Sequence, residues 1–298
     1  MNMTTITNPS VFQLGSVAFD FAERTYLMGI LNVTPDSFSD GGRYFDVDRA
    51  VEHGLESIEQ GADILDVGGE SSRPKGATYG DGAQPVSVEE ELSRIIPVLS
   101  KLQAMTNVPL SVDTTKSAVA AEALSAGAVM INDISGFHAD EAMAETIGHA
   151  GAAAVIMHMQ GTPQSMQDNP TYHDLFEDIT TYFKRALADG KAAGIAQMFI
   201  DPGIGFGKRQ GQNLQLIKGL AQFRALGHPI LVGPSRKSFI GNILDLPVSD
   251  RLEGSLAAAV ACVLYGANVM RVHDVKETKR ALAVADEIKN ALEETWSK

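Results

Sequence analysis

Apolar and polar positions follow two alternating patterns along the chain from Tyr26 onward. Short apolar runs recur eight times, and each is followed by a longer segment with apolar residues three or four positions apart. The first pattern predicts buried strands, and the second predicts amphipathic helices. The eight predicted strands are YLMGILNV (26–33), ADILDVGG (62–69), PLSVDT (109–114), AVMINDIS (128–135), AAVIMHM (153–159), MFIDPG (198–203), PILVGPS (229–235) and VMRVHDV (269–275).

The segments between these strands carry helix start and stop signals. Ser87 and Glu90 have the spacing of a capping box at the start of the second helix. Most of the predicted helices end at a glycine, which is a common C-terminal stop. The predicted helices cover 48–60, a segment from 87 onward, 115–126, 140–149, 172–193, 212–226, 249–265 and 275–292.

Eight successive βα units with continuous apolar strands predict an α/β protein with a parallel sheet covered by helices. Eight units can close into a (β/α)₈ TIM barrel. An open doubly wound sheet is the alternative, but no strand carries a dinucleotide fingerprint. Residues 1–25 contain an alternating segment around Gly15-Ser16 that predicts an N-terminal β-hairpin capping the barrel bottom. Without a linker or a composition shift, we expect one domain over residues 1–298.

Charge and composition narrow the class of partner. The 298 residues carry a formal net charge of −13, which disfavours nucleic acid and membrane surfaces but not a small anionic substrate. The only cysteine, Cys262, lies in an apolar run and is expected to be a buried helix thiol. We find neither a signal-peptide pattern nor an apolar run long enough to span a bilayer, so we expect a cytoplasmic location.

Polar or charged residues stand at the C-terminal ends of all eight predicted strands, which is where TIM barrels place their active sites. One such residue usually satisfies a backbone group, but eight exceed what barrel stability requires. They are Asn32, the segment 68–73, Asp113, Asn132 with Asp133, His158, Asp201, the segment 235–237, and Arg271 with His273.

Arg271 and His273 are two residues apart on the last strand, so their side chains share a face. In a closed barrel the last strand neighbours the first, which places both near Asn32. A guanidinium, an imidazole and a carboxamide together suit an oxyanion such as phosphate. Asn32 can alternatively give an oxygen to Mg²⁺ carried by a diphosphate. A salt bridge from Arg271 to Asp274 is less favoured, because residues i and i+3 point to opposite faces of a strand.

Asp113, Asn132 and Asp201 end the third, fourth and sixth predicted strands. Their acceptors and the amide donor match an aminopyrimidinone edge, as in guanine or a pterin. Lys237 can place a cation near the ring oxygen of such a ligand. A structural Asp–Lys pair and a divalent-metal carboxylate site are the alternatives.

DPGIGFGK (201–208) fits neither a Walker loop nor GxGxxG, because its glycine spacing is wrong and Arg209 follows Lys208. Its glycines favour close approach of the backbone to a flat ligand. Phe206 is either a wall of that site or ordinary core. In GPSRKSFIG (233–241), Ser235, Arg236 and Lys237 are either site groups or a solvated basic loop. His158 has no partner at metal-ligand spacing and is expected to be a hydrogen-bonding residue.

With these residues identified, the chain resembles the dihydropteroate synthase family of folate-pathway enzymes. The matching segments occur in the family's order from residue 28 to 275. They are MGILNVTPDSFSDGG, DVGGESSRP, SVDT, INDISG, MHMQGTP, DPGIGFGK, GPSRKSFIG and RVHDV. Ser72 stands where many members have threonine, and the shared hydroxyl leads us to expect the same role.

The resemblance implies condensation of 6-hydroxymethyl-7,8-dihydropterin diphosphate with 4-aminobenzoate, giving 7,8-dihydropteroate and diphosphate. It implies that the pterin is bound by Asp113, Asn132, Asp201, Phe206 and Lys237. Diphosphate and Mg²⁺ are implied to be bound by Asn32, Arg271 and His273. Aminobenzoate is implied to be bound by Ser72, Arg73, Pro74, Phe38, Phe206, Ser235 and Lys237. It also implies mobile loops that close over the substrates, the first with Asp36 and Asp40, and a homodimer. Sulfonamides are implied as competitive inhibitors.

The implied reaction is a largely dissociative displacement. Arg271, His273 and Mg²⁺ would stabilise the departing diphosphate, while Asp113, Asp201 and Lys237 act at the pterin. No protein nucleophile is needed, which agrees with the lack of a convincing Ser-His or Cys-His set. Two other functions stay open: a pterin-binding module that passes a methyl group to a corrinoid, and a non-catalytic pterin-binding protein.

Overall fold

The computed structural model describes residues 11–34, 43–72, 82 and 84–291. In these ranges ten strands and nine α-helices follow one another along the chain. The strands are β1 Val11–Leu14, β2 Val17–Asp20, β3 Tyr26–Asn32, β4 Ile64–Gly68, β5 Leu110–Asp113, β6 Met130–Asp133, β7 Ala153–Met157, β8 Met198–Asp201, β9 Leu231–Val232 and β10 Val269–Val272. The helices are α1 Arg43–Glu59, α2 Val88–Met105, α3 Ser117–Ser125, α4 Met143–His149, α5 Leu175–Ala192, α6 Gln210–Gly219, α7 Ser238–Leu244, α8 Leu252–Leu264 and α9 Val275–Asn290.

Strands β3 to β10 form one parallel eight-stranded sheet in which the last strand, β10, pairs with the first, β3. An isolated parallel bridge between Ile200 and Ile230 joins the remaining two edges, next to the short strand β9. The predicted TIM barrel is therefore confirmed. Among the described residues, no helix is long and apolar enough to cross a membrane.

Two apolar cores follow from the alternation of side chains along the strands. Outward-facing residues of the sheet pack against the helices in the larger core, which includes Leu27, Leu65 and Val112. Inward-facing residues such as Met28, Ile64 and Phe199 form a second core inside the lower barrel. Because every barrel strand is buried on both faces, the strands read in the sequence as nearly continuous apolar runs.

The predicted hairpin is present, with β1 and β2 antiparallel around Gly15, whose φ is +59°. Its aromatic side chains enter the inner core from below. Phe12 lies edge-on to Phe199 of β8 with ring centroids 5.1 Å apart, and Phe19 lies 4.7 Å from Tyr26 of β3. The hairpin therefore closes the N-terminal end of the barrel with apolar surface and leaves the opposite end open.

Several helix boundaries differ from the predicted ones, and three of these differences have a structural explanation. α4 begins at Met143 rather than 140, because Asp140 accepts hydrogen bonds from the backbone N–H groups of Ser117 and Ala142. α5 begins at Leu175 because Asp174 caps it. The segment 220–226 is a 3₁₀-helix rather than a continuation of α6.

One helix was missed altogether. α7 occupies the segment after GPSRK that was expected to be a loop. It has only seven residues, and the usual end signals are missing: its N-cap residue, Lys237, makes no side-chain capping hydrogen bond, and Asp245 rather than glycine follows its last residue.

We predict that Phe12→Ala lowers the free energy of unfolding by about 3–5 kcal/mol, because it empties the apolar contact between the hairpin and β8. Val11→Ala is the matched control, since Val11 is the neighbouring residue and is 52% exposed. Urea titration of both variants measures the difference. Equal stability of the two variants would show that the hairpin does not seal the barrel.

Candidate active site

The C-terminal rim of the barrel collects the predicted site residues in register. Asn32 pairs with Gly68, Gly68 with Asp113, and Asp113 with Asn132 on successive strands. Their positions on neighbouring parallel strands bring three of the predicted polar side chains to one level of the barrel mouth. A cavity of about 720 Å³ opens there. Its lining includes Asn32, Asp113, Phe206, Ser235, Lys237, Arg271 and His273.

Arg271 lies below this level and extends up into the mouth. It pairs with Met28 on β3, two residues before the level of Asp66. Its Nε donates to Asp66 Oδ2 at 2.6 Å, and its Nη2 donates to Asp113 Oδ2 at 2.8 Å. One guanidinium is thus shared between two carboxylates. The alternative pairing of Arg271 with Asp274 does not occur, since Asp274 accepts from Arg236 Nε at 3.0 Å.

Asp66 is one of the residues near the site that the sequence interpretation missed, and Lys208, described below, is another. It lies in the middle of β4 and is fully buried. Besides Arg271, it accepts from Ser111 Oγ at 2.6 Å and from Asn132 Nδ2 at 2.9 Å. The available signal was a carboxylate inside an otherwise apolar strand, which is rarely buried without partners.

Burial raises the pKa of Asp113 to about 7. Arg271 opposes this shift, whereas the neighbouring carboxylate of Asp66 adds to it. Burial decides the direction, because transfer from water disfavours the charged carboxylate and the single cation of Arg271 does not offset that cost.

Asp201 ends β8 and is 7% exposed. Burial raises its pKa to about 6, although the backbone N–H of Gly203 donates to its Oδ1 at 2.7 Å. Gly203 has φ +69°, and a Cβ there would lie 2.0 Å from the carbonyl oxygen of His158. Only glycine fits this turn, which brings the 201–208 loop against the end of β7.

Lys208 connects the 201–208 loop to the end of β7 through hydrogen bonds of its side chain. It is 3% exposed, and its Nζ donates to Phe206 O at 2.9 Å and lies 3.1 Å from His158 Nδ1. Burial lowers the pKa of Lys208 to about 7 and that of His158 to about 2. His158 is therefore the neutral acceptor of a structural hydrogen bond, in agreement with its predicted role.

Lys237 immediately precedes α7, and its Nζ lies 3.8 Å from the centroid of the Phe206 ring. This is a cation–π contact. Burial lowers the pKa of Lys237 to about 8, with the nearby positive charge of Arg271 acting in the same direction. Phe206 is only partly buried and lines the cavity, so it forms a wall of the site rather than ordinary core.

His273 lies beside Ser235, with 3.0 Å between Ser235 Oγ and His273 Nδ1. Burial and the positive charge of Arg271 lower the pKa of His273 to about 3. The imidazole is therefore neutral near pH 7 and offers one N–H at most. Ser235 thus contacts His273, one of the residues predicted to bind an oxyanion.

A second cavity, of about 510 Å³, adjoins the first and shares Glu70, Ser71, Ser72 and Asp113 with its lining. Ser72 borders both cavities. The other predicted residues of the two loops, Asp36, Phe38, Asp40, Arg73 and Pro74, lie outside the described residues.

No group of three or more His, Cys, Asp or Glu side chains within the described ranges is arranged to hold a metal ion. Asn32, the residue predicted to contact Mg²⁺, is a single oxygen donor at the rim. A protein cage for a metal is therefore not built from the described part of the chain.

Comparison with known proteins gives consistent matches. A family model described as "Pterin binding enzyme" matches residues 28–273. Dihydropteroate synthase of Clostridium beijerinckii is 45% identical over 277 residues, covering 92% of this chain and 98% of that protein. The Escherichia coli K12 enzyme of the same name is 46% identical over 270 residues, covering 90% and 93%.

Solved structures agree with these matches. The Yersinia pestis dihydropteroate synthase in a sulfonamide drug complex superposes with a TM-score of 0.87 at 42% identity, covering 94% of this chain and all of that one. The Xanthomonas albilineans enzyme in complex with 7,8-dihydropteroate gives a TM-score of 0.83 at 37% identity, covering 95% of this chain and all of that one.

We predict two aspartate carboxyl resonances that titrate near pH 7 and pH 6 in ¹³C NMR of the ligand-free protein. Asp113→Asn should remove the first and Asp201→Asn the second, whereas Asp63→Asn, at the opposite end of the barrel, should leave both.

The raised pKa also has a consequence for stability. Between the unfolded value of about 4 and the folded value near 7, only the folded chain holds the Asp113 proton. This contribution to stability is complete below pH 4 and is lost as pH rises through 7. Asp113→Asn should therefore lose less stability than the parent as pH rises from 4 to 7, and an unchanged profile would contradict the shift.

Proposed function

The chain belongs to the dihydropteroate synthase family of pterin-binding enzymes, and we propose how its barrel mouth joins 6-hydroxymethyl-7,8-dihydropterin diphosphate to 4-aminobenzoate. The products are 7,8-dihydropteroate and diphosphate. Asp113, Lys237 and Arg271 line one cavity, and Asn132 and Asp201 lie buried near the C-terminal ends of β6 and β8. This arrangement is the observation that carries the division of roles. The sequence coverage of the relatives, above 90% of their length, supports assigning the same reaction to this chain.

The pterin binds with its aminopyrimidinone edge toward Asp113, Asn132 and Asp201. Ring N–H and amino groups donate to the carboxylates, and Lys237 donates to an acceptor of the ring. The partly exposed face of Phe206 stacks on the ligand. Because Asp113 and Asp201 have raised pKa values, each binds either as an acceptor or, when protonated, as a donor.

The C–O bond to diphosphate breaks before the new C–N bond is complete, which leaves positive charge on the methylene carbon and the pterin ring. Asp113 and Asp201 favour this charge electrostatically from fixed positions in a site of low polarity. The amine of 4-aminobenzoate then attacks the carbon and releases a proton. No covalent bond to the protein forms.

Arg271, His273 and Asn32 bind the diphosphate. The side chain of Arg271 is 19% exposed at the floor of the larger cavity, so its charge reaches a bound anion. His273 contributes a neutral N–H donor, since its Nδ1 lies toward Ser235. The positive charge of Arg271 stabilises the leaving group as it departs.

A magnesium ion fits this arrangement as a companion of the substrate. Mg²⁺ commonly binds one or two protein oxygens together with substrate phosphates. The side-chain oxygen of Asn32 supplies such a ligand at the rim beside His273. Bound there, the ion would neutralise charge on the diphosphate oxygens.

4-Aminobenzoate binds in the part of the mouth lined by Ser72, Phe206, Ser235 and Lys237. Arg73, Pro74 and Phe38 complete this subsite, and Asp36 and Asp40 belong to a loop that closes over both substrates. Sulfonamides, which are bound in the Yersinia pestis structure, compete for the same place.

We also assign residues 1–298 to one domain, since the hairpin shares the inner core of the barrel. The cytoplasmic location stays a prediction.

The chain acts as a homodimer through the side that carries α7, α8 and α9. Large apolar side chains are exposed there although α8 packs against both of the other helices. They are Ile243, Leu244, Leu246, Val248, Leu264, Tyr265, Val284 and Ile288. A surface of this kind is typical of a protein–protein contact.

The deciding experiment measures diphosphate release by the purified protein with the pterin diphosphate, Mg²⁺ and 4-aminobenzoate. We expect release that depends on 4-aminobenzoate and a product that co-migrates with 7,8-dihydropteroate. Absence of this product with a folded protein would refute the proposed reaction.

In the same assay, Lys237→Met should lower kcat/KM for the pterin diphosphate about 10²–10³-fold, because a charged donor in the site is lost. Its stability should equal or exceed that of the parent, since burial disfavours the charge of Lys237. Lys218→Met on the exposed surface of α6 is the control. Wild-type activity of Lys237→Met would remove Lys237 from the site.

Sedimentation equilibrium tests the dimer. We expect the 31.8 kDa chain to sediment as a dimer and Val284→Glu as a monomer, because the variant places a charge on the apolar surface of α9. Met105→Glu is the control, since Met105 is 60% exposed on α2. A monomeric parent, or a dimeric Val284→Glu, would contradict this surface.

A further inference from the structure

The carboxylate of Asp66 lies directly beneath the mouth and contacts two of the residues assigned to substrate. Its Oδ2 accepts from Arg271 Nε at 2.6 Å and from Asn132 Nδ2 at 2.9 Å. Its Oδ1 accepts from Ser111 Oγ at 2.6 Å. Asp66 and Ser111 are fully buried, and Asn132 is 4% exposed. All three donors converge on Asp66, which lies too deep to line either cavity.

An ionised carboxylate can only accept hydrogen bonds. The side-chain amide of Asn132 must therefore turn its NH₂ group toward Asp66. This directs the carbonyl oxygen Oδ1 away from Asp66 and leaves it, with the second N–H of the amide, for other partners. Without Asp66, either orientation of the amide would be open, and Asn132 would offer a donor and an acceptor interchangeably.

The same carboxylate fixes the plane of the Arg271 guanidinium. A guanidinium is rigid and planar, so a bond at Nε together with a second at Nη2 sets the direction of every remaining N–H. Asp66 takes Nε and Asp113 takes Nη2. Ser111, in register with Asp66 on β5, holds the carboxylate in this orientation.

We propose that Asp66 is a positioning residue for pterin recognition: it orients Asn132 as a hydrogen-bond acceptor and Arg271 as a fixed cation beneath the pterin. This inference rests on the proposed function, since it assigns the orientation of residues that the proposal places on the substrate. Asp66 touches neither substrate. It makes the site selective for a ligand edge that presents N–H groups to Asn132.

A purely structural ion pair is found elsewhere in the barrel and provides a comparison. Asp63, just before the same strand, accepts from Arg24 Nη2 at 2.7 Å and from the backbone N–H of Leu27 at 2.8 Å. That pair lies at the N-terminal end of the barrel and contacts no site residue. Loss of the Asp63 pair affects stability alone, whereas loss of Asp66 also releases Asn132 and Arg271.

The test compares Asp66→Asn with Asp63→Asn. Titration calorimetry with 6-hydroxymethylpterin measures pterin affinity without the reaction, and steady-state kinetics measures both KM values. Asp66→Asn should weaken pterin binding about 10-fold to 100-fold and raise KM for the pterin diphosphate, because charged hydrogen bonds that orient two residues are lost. KM for 4-aminobenzoate should stay within about twofold.

Asp63→Asn should leave pterin affinity and both KM values unchanged, whatever its stability. In the Asn132→Ala background, Asp66→Asn can weaken pterin binding only through Arg271. The loss in the double variant should therefore be smaller than the sum of the losses in the two single variants. Additive effects would show that Asp66 does not act through Asn132.

Ser111→Ala provides a second route if Asp66→Asn does not fold. It keeps both charges, frees one oxygen of Asp66, and should weaken pterin binding about fivefold with no change in KM for 4-aminobenzoate. Unchanged pterin affinity in the folded variants, or equal losses for both substrates, would overturn the role of Asp66. Failure of the parent protein to bind the pterin would instead refute the proposed function.

Discussion

The arrangement of the barrel mouth depends on one guanidinium that compensates two carboxylates. Arg271 reaches up from β10 and binds Asp66 and Asp113 on two neighbouring strands. A buried cation of this kind is stable only when hydrogen bonds and opposite charge surround it. Burial raises the pKa of Asp113 to about 7, since the charge of Arg271 only partly opposes the loss of water around this carboxyl and the neighbouring Asp66 adds to the shift. The orientation of Asn132 follows from the same network.

The parallel register of the strands explains why this polar network and a dry core can exist in one barrel. Inward positions near the N-terminal ends are apolar and are sealed by the aromatic side chains of the hairpin. Two residues further along the same strands, the inward positions carry Asp66 and Ser111, and the next level carries Asp113 and Asn132. Polarity therefore rises toward the open end, where a ligand can satisfy the remaining groups.

Burial has a common effect on the titratable groups of the mouth. It raises the pKa of the acids Asp113 and Asp201, and it lowers that of the bases Lys237 and His273. Each shift moves a group toward its neutral form, because transfer from water disfavours charge. A ligand that brings hydrogen-bond donors to the acids and an anion to Arg271 reverses this tendency. The site therefore suits a ligand that carries positive charge near the acids and negative charge near Arg271.

The sequence by itself determined the barrel, the hairpin and the family, and it placed Asp113, Asn132 and Asp201 at strand ends, because strand periodicity and strand-end chemistry are local. Arg271 lies lower than predicted and reaches the mouth through its long side chain. The sequence did not reveal the short helix α7, which has neither a capping side chain at its start nor a glycine at its end. Nor did it reveal Asp66 or Lys208 as parts of the site. Their partners lie on other strands and loops, tens of residues away in the chain. Only the closure of the barrel brings those partners together, and burial then sets the protonation of the groups at the mouth.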